Sequence, residues 1–231
     1  MWNIPLVKDS SQVPRNKSLK IFHQNIRGFG NKSNELYCHL HHDLPHILCL
    51  SEQHLSESEL QLIHLTNYSL GVNYCRKTFL RGGVTIFVHR KLKYNAINID
   101  EYNIDKDIEA YAIQLASTFN KLCILTIYRS PRGNFTNFLN RLDLILQKLY
   151  NNKCHIIICG YVNVNHLIDN KRKSQHDVVL HSYNRAGIVK FPTRFDLNSH
   201  TVIDNVFFDT TIGKYDLYPL INGLSDHGAQ L

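Results

Sequence analysis

The chain has 231 residues, 43% of them hydrophobic, with a formal net charge of +7 and a pI of about 9.1. This length and apolar content suit one large domain or two small ones with a sizeable core, which excludes an intrinsically disordered chain. The basic balance favours a polyanionic partner, because Lys or Arg at a phosphate releases counterions, although solubility alone explains the charge equally well.

The six cysteines give no sign of a structural zinc site or a secreted disulfide framework. No two have Cys-x-x-Cys spacing, and Cys49, Cys123 and Cys159 lie in apolar strand-like runs, where a free thiol behaves as a small hydrophobe. No apolar run is as long as a membrane span, and the first residues lack a signal-peptide core. We therefore expect an intracellular protein, nuclear or cytoplasmic, without a membrane partner.

Residues 1–18 are polar and aperiodic and contain Pro5 and Pro14, which predicts a flexible N-terminal arm. From Leu19 to Leu231 the pattern is dense, without a repeat or linker, which favours one domain. Several apolar runs are continuous enough to be strands buried on both faces. We predict strands at Leu19–Gln24, Ile47–Ser51, Gly83–His89, Tyr94–Ile99, Ile108–Leu115, Leu122–Tyr128, His155–Cys159, Thr201–Phe208 and Tyr215–Leu220.

Helical periodicity is clearest at Phe135–Leu149, where one apolar stripe recurs and Asn134 is a suitable N-cap. Three further helices are predicted at Glu35–Asp43, Glu57–His64 and His176–Arg185, with Gly187 as the C-cap of the last. Strands interspersed with helices predict an α/β chain, either two packed sheets covered by helices or a single mixed sheet.

Polar side chains follow several predicted strands where each strand ends, which is where functional groups gather in open α/β architectures. Each has an ordinary explanation alone, since a strand-end Asn usually caps a turn and a strand-end carboxylate is usually solvated. Asp204 is less ordinary, because a carboxylate between Val-Ile and Asn-Val-Phe-Phe is costly to bury without a partner, and His227 is a candidate. The set comprises Asn25, Glu52, Tyr128, Asn163, Asn165, Asp204 and Asp226.

In their order these motifs resemble the endonuclease/exonuclease/phosphatase superfamily, and more closely the apurinic/apyrimidinic-like endonuclease domain of non-LTR retrotransposons. The resemblance covers about Leu19 to Leu231 and implies a four-layer α/β (α+β) sandwich, with two mixed sheets face to face and helices on both outer sides. Its motifs are His23-Gln24-Asn25-Ile26-Arg27-Gly28, Leu50-Ser51-Glu52-Gln53-His54-Leu55, Arg81-Gly82-Gly83-Val84-Thr85-Ile86, Tyr128-Arg129-Ser130-Pro131, Gly160-Tyr161-Val162-Asn163, Asp204-Asn205 and Ser225-Asp226-His227.

The resemblance also implies phosphodiester cleavage with Mg²⁺ (or Mn²⁺). Glu52 would be the principal metal ligand, assisted by Asn25 and Asp226. A hard cation of this kind takes one or two carboxylates and keeps several waters.

On the phosphate itself, the resemblance implies contacts from His227 and Tyr128. Asp204 would orient the His227 ring, because a carboxylate fixes the tautomer of an imidazole and favours its charged form. Asn163 would orient the nucleophile or a phosphate oxygen.

Tyr161 departs from the family pattern, in which an Asp at this position of Gly-Asp-x-Asn activates the attacking water. A phenol has an ordinary pKa near 10, so it stays protonated at neutral pH and is a poor general base as well as a bulkier group. Loss of a general base costs about 10²–10⁴-fold in rate. We therefore expect weak or no cleavage by this chain.

DNA contacts are predicted at basic residues in expected loops, since basic runs often mark a nucleic-acid surface, although a solvated loop explains them equally well. The loop Asn198-Ser199-His200 is a further candidate for entry into a groove. The basic set is Arg27, Arg129, Arg132, Lys171, Arg172 and Lys173.

The ending departs from the family too, since only Gly228-Ala229-Gln230-Leu231 follow His227. In the family a closing strand follows this motif, and in the parent polyprotein a reverse transcriptase lies downstream. We therefore expect a truncated final strand, with His227 close to a fraying end.

Three functions are compatible with these motifs. They are an active endonuclease that nicks chromosomal DNA to prime reverse transcription, an impaired nucleic-acid-binding module derived from one, and a phosphatase acting on a small molecule or lipid. The basic charge and the Tyr-Arg-Ser-Pro motif argue against the phosphatase.

Overall fold

The computed structural model describes residues 2–3, 18–79, 81–116, 122–151, 154–196, 199–209 and 214–231. Its helices are α1 (Ser33–Leu40), α2 (Glu57–Gln61), α3 (Phe135–Asn151) and α4 (Lys171–His181). The strands are β1 (Trp2–Asn3), β2 (Ile21–Asn25), β3 (Ile47–Ser51), β4 (Tyr68–Tyr74), β5 (Val84–His89), β6 (Tyr94–Ile97), β7 (Glu109–Leu115), β8 (Leu122–Tyr128), β9 (His155–Tyr161), β10 (Ala186–Gly187), β11 (Arg194–Asp196), β12 (Ser199–Thr201), β13 (Asp204–Phe208), β14 (Lys214–Tyr215), β15 (Pro219–Leu220) and β16 (Ala229–Gln230).

Two six-stranded mixed sheets dominate the fold, in the orders β15-β16-β2-β3-β5-β4 and β10-β13-β9-β8-β7-β6. Within them β2 and β3 are parallel, as are β8 and β9, and the remaining neighbours are antiparallel. Two small antiparallel pairs, β1 with β14 and β11 with β12, lie outside these sheets.

The two sheets pack face to face because each presents an apolar inner face. Ile47 and Ile86 of the first sheet and Ile124 and Ile157 of the second belong to one fully buried cluster. Helices α1 and α2 cover the outer face of the first sheet, and α3 and α4 cover that of the second. The predicted four-layer α/β sandwich is confirmed.

Helix α3 follows the sequence pattern closely. Its predicted apolar stripe is buried from Phe138 to Leu149, and the Asn134 side chain accepts a hydrogen bond from the Asn137 amide at 3.0 Å, as expected of an N-cap.

Helix α4 begins five residues before its predicted start, at Lys171 rather than His176. The Asn170 side chain accepts a hydrogen bond from the Lys173 amide at 2.9 Å and caps the helix. The basic run 171–173 is therefore the first helical turn and not the predicted loop. Gly187 does not end this helix, because it lies in β10 opposite Phe207.

Two strand predictions are divided in the structure. The predicted run Thr201–Phe208 falls into β12 and β13, and Tyr215–Leu220 into β14 and β15. Strand β4 was not predicted, although Tyr68-Ser69-Leu70-Gly71-Val72-Asn73-Tyr74 alternates apolar and polar residues as a half-buried strand does. Its pairing with β5 shifts register between Leu70 and Val72.

The chain ends are held by short pairings. Strand β16 is inserted between β15 and β2, so two residues of a closing strand are present. In the predicted N-terminal arm, Trp2–Asn3 pairs with Lys214–Tyr215, and residues 4–17 lie outside the described residues. None of the described helices is long and apolar enough to cross a membrane.

One edge of the sandwich collects the polar residues predicted at strand ends. In the first sheet Asn25 pairs with Ser51, the residue before Glu52. In the second sheet Tyr128, Tyr161 and Asp204 are register partners across β8, β9 and β13. Parallel strands end at the same edge and an antiparallel neighbour begins there, so register alone brings these residues to one rim.

Candidate active site

Asp204 and His227 form a buried pair at this rim. The Asp204 side chain is fully buried, and His227 is 2% exposed. Asp204 Oδ2 lies 2.7 Å from His227 Nδ1, which is the contact expected from the sequence. Asp204 Oδ1 has no hydrogen-bond partner among the described residues.

Ser225 fixes the backbone that carries His227. Its hydroxyl donates to the Asn25 carbonyl at 2.6 Å and accepts from the His227 amide at 3.0 Å. Behind it, Gln230 of β16 pairs with His23 of β2. The histidine is therefore clamped between paired segments rather than placed at the fraying end that the sequence predicts.

Glu52 follows β3 and stays ionised although it is largely buried. His54 Nε2 lies 3.4 Å from Glu52 Oε2, and the Tyr128 hydroxyl and the Asn25 amide lie beside the carboxylate. Burial raises the pKa of Glu52, but hydrogen bonds from His54, Tyr128 and Asn25 outweigh it and leave that pKa below its ordinary value. The Asn25 contact is the weakest of the three, because among the described residues Asn25 Nδ2 has no partner with ordinary hydrogen-bond geometry.

Four of the eight non-glycine residues with positive φ in the described part of the chain lie in the loops around this carboxylate. Arg27, Glu52, His54 and Asn163 all have positive φ, between 45° and 60°. Non-glycine residues rarely adopt this conformation, and it persists where the surrounding structure fixes it, most often at functional sites. The strain marks the same rim independently of its charges.

Asp226 is held by two arginines. Its Oδ2 lies 2.7 Å from Arg27 Nη1 and 3.3 Å from Arg194 Nε. Burial raises the pKa of Asp226. The hydrogen bond from Arg27 and the nearby His227 and Arg194 lower it by more, so the pKa lies below its ordinary value and the group is ionised at neutral pH. Arg194 was not predicted, and nothing in its sequence context indicates it.

The oxygen donors at this rim fit a hard divalent cation such as Mg²⁺. Glu52 and Asp226 are both held ionised, and Asn25 adds an amide oxygen. Within the described ranges no group of three or more His, Cys, Asp or Glu side chains is arranged to hold a metal, so a cation here would need water ligands besides these residues. Arg27 and Arg194 compete with the cation for Asp226, so Glu52 is the better ligand.

Tyr161 fills the centre of the rim. It is 3% exposed, its ring stacks on Tyr128 at 5.6 Å between centroids, and it meets His227 edge-on at 5.0 Å. Burial, followed by the charges of Asp204 and Glu52, raises the pKa of Tyr161 above its ordinary value. The phenol is therefore fully protonated at neutral pH and cannot accept a proton from water.

Asn163 has both ends of its amide engaged. Its Oδ1 accepts the Tyr161 hydroxyl at 2.6 Å, and its Nδ2 donates to the Arg129 carbonyl at 2.7 Å. The amide that the resemblance assigns to the nucleophile thus serves Tyr161 instead.

Arg129 is a structural residue and not a DNA contact. It is 1% exposed, and its guanidinium donates to the carbonyls of Val162, Ser130, Gly133 and Asn163 at 2.8–3.1 Å. A buried guanidinium that ties four carbonyls together cannot reach a phosphate backbone. Arg129 therefore does not belong to the exposed basic surface predicted to contact DNA.

The other predicted DNA contacts remain at the surface in different states. Arg132, Lys171 and Arg172 are exposed. Lys173 lies within 2.8 Å of Asp169 and 3.5 Å of Asp177, and Arg27 is paired with Asp226. In the predicted loop 198–200, Asn198 lies outside the described residues and His200 is exposed.

Solved structures share this architecture. The endonuclease domain of TRAS1, a telomere-specific non-LTR retrotransposon, matches with a TM-score of 0.69 at 12% identity, over 91% of this chain and 95% of that one. D. rerio TDP2 complexed with a single-strand DNA product matches at 0.66 and 13%, over 92% and 96%. The 3'-5' exonuclease NExo from Neisseria meningitidis matches at 0.66 and 14%, over 91% and 97%.

The chain has the endonuclease/exonuclease/phosphatase fold. At these identities the likeness establishes the fold alone. No protein-family model and no curated protein matches the sequence. Within the endonuclease/exonuclease/phosphatase fold of this chain, the rim formed by Glu52, Asp204 and His227 is the candidate active site.

Proposed function

We propose that this chain is the Mg²⁺-dependent DNA endonuclease domain of a non-LTR retrotransposon, with hydrolysis impaired by Tyr161. The observation that carries the proposal is the 2.7 Å contact between buried Asp204 and His227 at the rim that also holds Glu52. The fold shared with a retrotransposon endonuclease domain and with a nuclease bound to DNA supports a nucleic-acid substrate. A reverse transcriptase region in the parent polyprotein would be its functional partner inside the cell.

The retained groups support phosphate binding. With Nδ1 facing Asp204, the His227 ring has Nε2 left to contact a phosphate oxygen. The Tyr128 hydroxyl lies beside Glu52, so both residues would act on the same phosphate group of the substrate. Glu52, with Asn25 and Asp226, would hold Mg²⁺, which when bound polarises the phosphate and stabilises the leaving oxygen.

A second candidate, a nucleic-acid-binding module without cleavage, is favoured by the bond between Tyr161 and Asn163. This 2.6 Å bond occupies the Tyr161 hydroxyl hydrogen and the Asn163 side-chain oxygen, so neither is left to orient an attacking water. The two candidates differ only in the residual rate, since both keep the phosphate-binding groups.

Plasmid nicking together with duplex binding tests the proposal. We expect the natural chain to bind duplex DNA in fluorescence anisotropy. With Mg²⁺ we expect it to nick supercoiled plasmid at a rate close to that of a His227→Ala variant. Nicking far above that variant would show an active enzyme and overturn the impairment. Absence of DNA binding, together with turnover of a small phosphate ester, would favour a phosphatase instead.

A further inference from the structure

Arg76 is a buried arginine that lies against the Tyr128 ring. Its side chain is 8% exposed, and its Cζ lies 5.5 Å from the centroid of that ring. Its Nε donates to Glu109 Oε1 at 2.6 Å, whereas its Nη2 is buried without a hydrogen-bond partner among the described residues. An interior N–H without an acceptor is costly, and the negative face of an aromatic ring offsets that cost.

Glu109 fixes the orientation of Arg76. Its side chain is fully buried and accepts hydrogen bonds from the Gly83 amide at 2.6 Å and the Lys106 amide at 2.9 Å. Glu109 is also the register partner of Tyr128 across β7 and β8. The guanidinium is therefore anchored to two backbone amides through one carboxylate, next to the strand that carries Tyr128.

The first glycine of the Arg-Gly-Gly-Val motif makes room for this guanidinium. Gly82 has φ +97°, and a side chain at that position would collide with the Arg76 guanidinium. Gly83, which donates to Glu109, has φ +82°. The loop before β5 is thus shaped around the Arg76–Glu109 pair.

We propose that Arg76, held by Glu109, is a positioning residue that fixes the Tyr128 ring and keeps its hydroxyl beside Glu52. The assignment rests on the proposed role of Tyr128 at the phosphate. The ring also stacks on Tyr161 and packs in a buried cluster with Val84 and Ile203, but among these neighbours Arg76 is the one that brings a charge to its face. A misplacement of about 1 Å at a reacting centre can lower the rate about 10²-fold, so a residue that never touches the substrate can still affect the reaction rate.

NMR of the protein labelled with ¹³C-tyrosine tests the positioning without any cleavage. The Tyr128 ring signal is the one missing from a Tyr128→Phe variant. We expect Arg76→Met and Glu109→Gln to shift that signal, with Arg76→Lys as a milder variant should Arg76→Met fail to fold. Arg185→Met is the matched control, because Arg185 is 3% exposed and pairs with Asp209 at 2.9 Å beyond the other end of β13. An unmoved Tyr128 signal, or an equal shift in the control, would overturn the proposal.

A double-mutant cycle on plasmid nicking tests the consequence, in a Tyr161→Asp background that restores a carboxylate at the rim. We expect Arg76→Met to slow nicking about tenfold with Tyr128 present and less than about twofold with Tyr128→Phe. Equal losses in both backgrounds would mean that Arg76 does not act through Tyr128. If the Tyr161→Asp protein does not nick at all, the proposed function fails, while the NMR experiment still decides the role of Arg76.

Discussion

The two halves of the rim differ in where their hydrogen bonds go. On the side proposed to bind phosphate (the phosphate side: Glu52, Asp204 and His227), Asp204 orients His227 through Nδ1, and His227 Nε2 lies 4.0 Å from Asp226 Oδ1. On the side proposed to handle water (the water side: Tyr161 and Asn163), the two residues bond to each other at 2.6 Å and then to the Arg129 carbonyl. Under the proposed function, this difference would separate phosphate binding, which the first set of contacts permits, from hydrolysis, which the second set opposes.

Replacing Tyr161 has the largest expected effect. Tyr161→Asp should raise plasmid nicking with Mg²⁺ by about 10²–10⁴-fold, because a carboxylate can accept a proton from water where the phenol cannot. Tyr161→Phe is the matched control, since it keeps the ring and removes only the hydroxyl. Equal gains in the two variants would indicate relief of crowding and not a restored base.

Acid unfolding tests two histidines that pack on the Phe207 ring. His166 and His176 pack on Phe207, and neither ring nitrogen of His176 has a hydrogen-bond partner among the described residues. Burial lowers the pKa of His166 to about 4 and that of His176 to about 3. The folded protein therefore binds fewer protons than the unfolded chain once the pH falls below the unfolded value of about 6.5.

Above pH 6.5 both histidines are neutral in the folded and the unfolded chain, and the free energy of unfolding is at its full value. Below pH 6.5 it should fall by about 1.4 kcal/mol per pH unit for each histidine, until the folded pKa of that histidine is reached. Urea unfolding at pH 7 and pH 5 measures this loss. His176→Phe should reduce the slope by the share of one histidine, about 1.4 kcal/mol per pH unit, whereas substitution of exposed His64 by Gln should leave it unchanged. An unchanged slope in the His176→Phe protein would place the responsible group elsewhere.

The two acids of the rim should differ in their effect on stability. Asp204→Ala leaves a buried His227 N–H unpaired and should cost about 1–3 kcal/mol of unfolding free energy. Asp226→Ala removes a half-exposed ion pair and should cost less than about 1 kcal/mol. Denaturant titration of both variants measures their free energies of unfolding. A larger loss for Asp226→Ala than for Asp204→Ala would show that the buried Asp204–His227 pair is not the more stabilising of the two contacts.

The smallest effect concerns DNA affinity. Lys171→Gln with Arg172→Gln should reduce the slope of log affinity against log salt by about one to two, if both side chains reach phosphates. Lys91→Gln with Lys93→Gln is the control, because these exposed lysines follow the end of β5 that lies opposite the rim. Equal changes in the two double variants would indicate a general charge effect without a defined DNA surface.

The sequence predicts the sandwich well where burial sets the pattern. Strand β9 and helix α3 are recognisable because apolar residues recur at the strand and helix periods. Helix α4 lacks that signal, since only His176 and Leu180 are buried along it, and its basic first turn has the composition of a loop. Strand β4 is a different case, because the alternation of apolar and polar residues from Tyr68 to Tyr74 is the pattern of a half-buried strand, so it was predictable from the sequence but was not predicted.

Site residues are predictable where an unusual cost demands a partner. A carboxylate inside an apolar strand needs a partner, and this requirement predicts the Asp204–His227 pair from the sequence. Arg129 shows the opposite case, because a guanidinium serves four backbone carbonyls as well as it serves a phosphate, and sequence does not tell which way it points. Arg194, in the short strand β11, and Arg76, in the loop after β4, reach the rim through tertiary placement that local sequence does not encode.

The register of β8, β9 and β13 places residue 161 between Tyr128 on one strand and Asp204 on the next. Tyrosine and aspartate codons differ only in their first base. Under the proposed function, the step between an impaired and a cleaving rim would therefore be a single base change in either direction, at a position where the fold already accommodates the larger side chain. A loss of cleavage by that route would be readily reversible on an evolutionary timescale, because the groups proposed to bind phosphate and their scaffold persist.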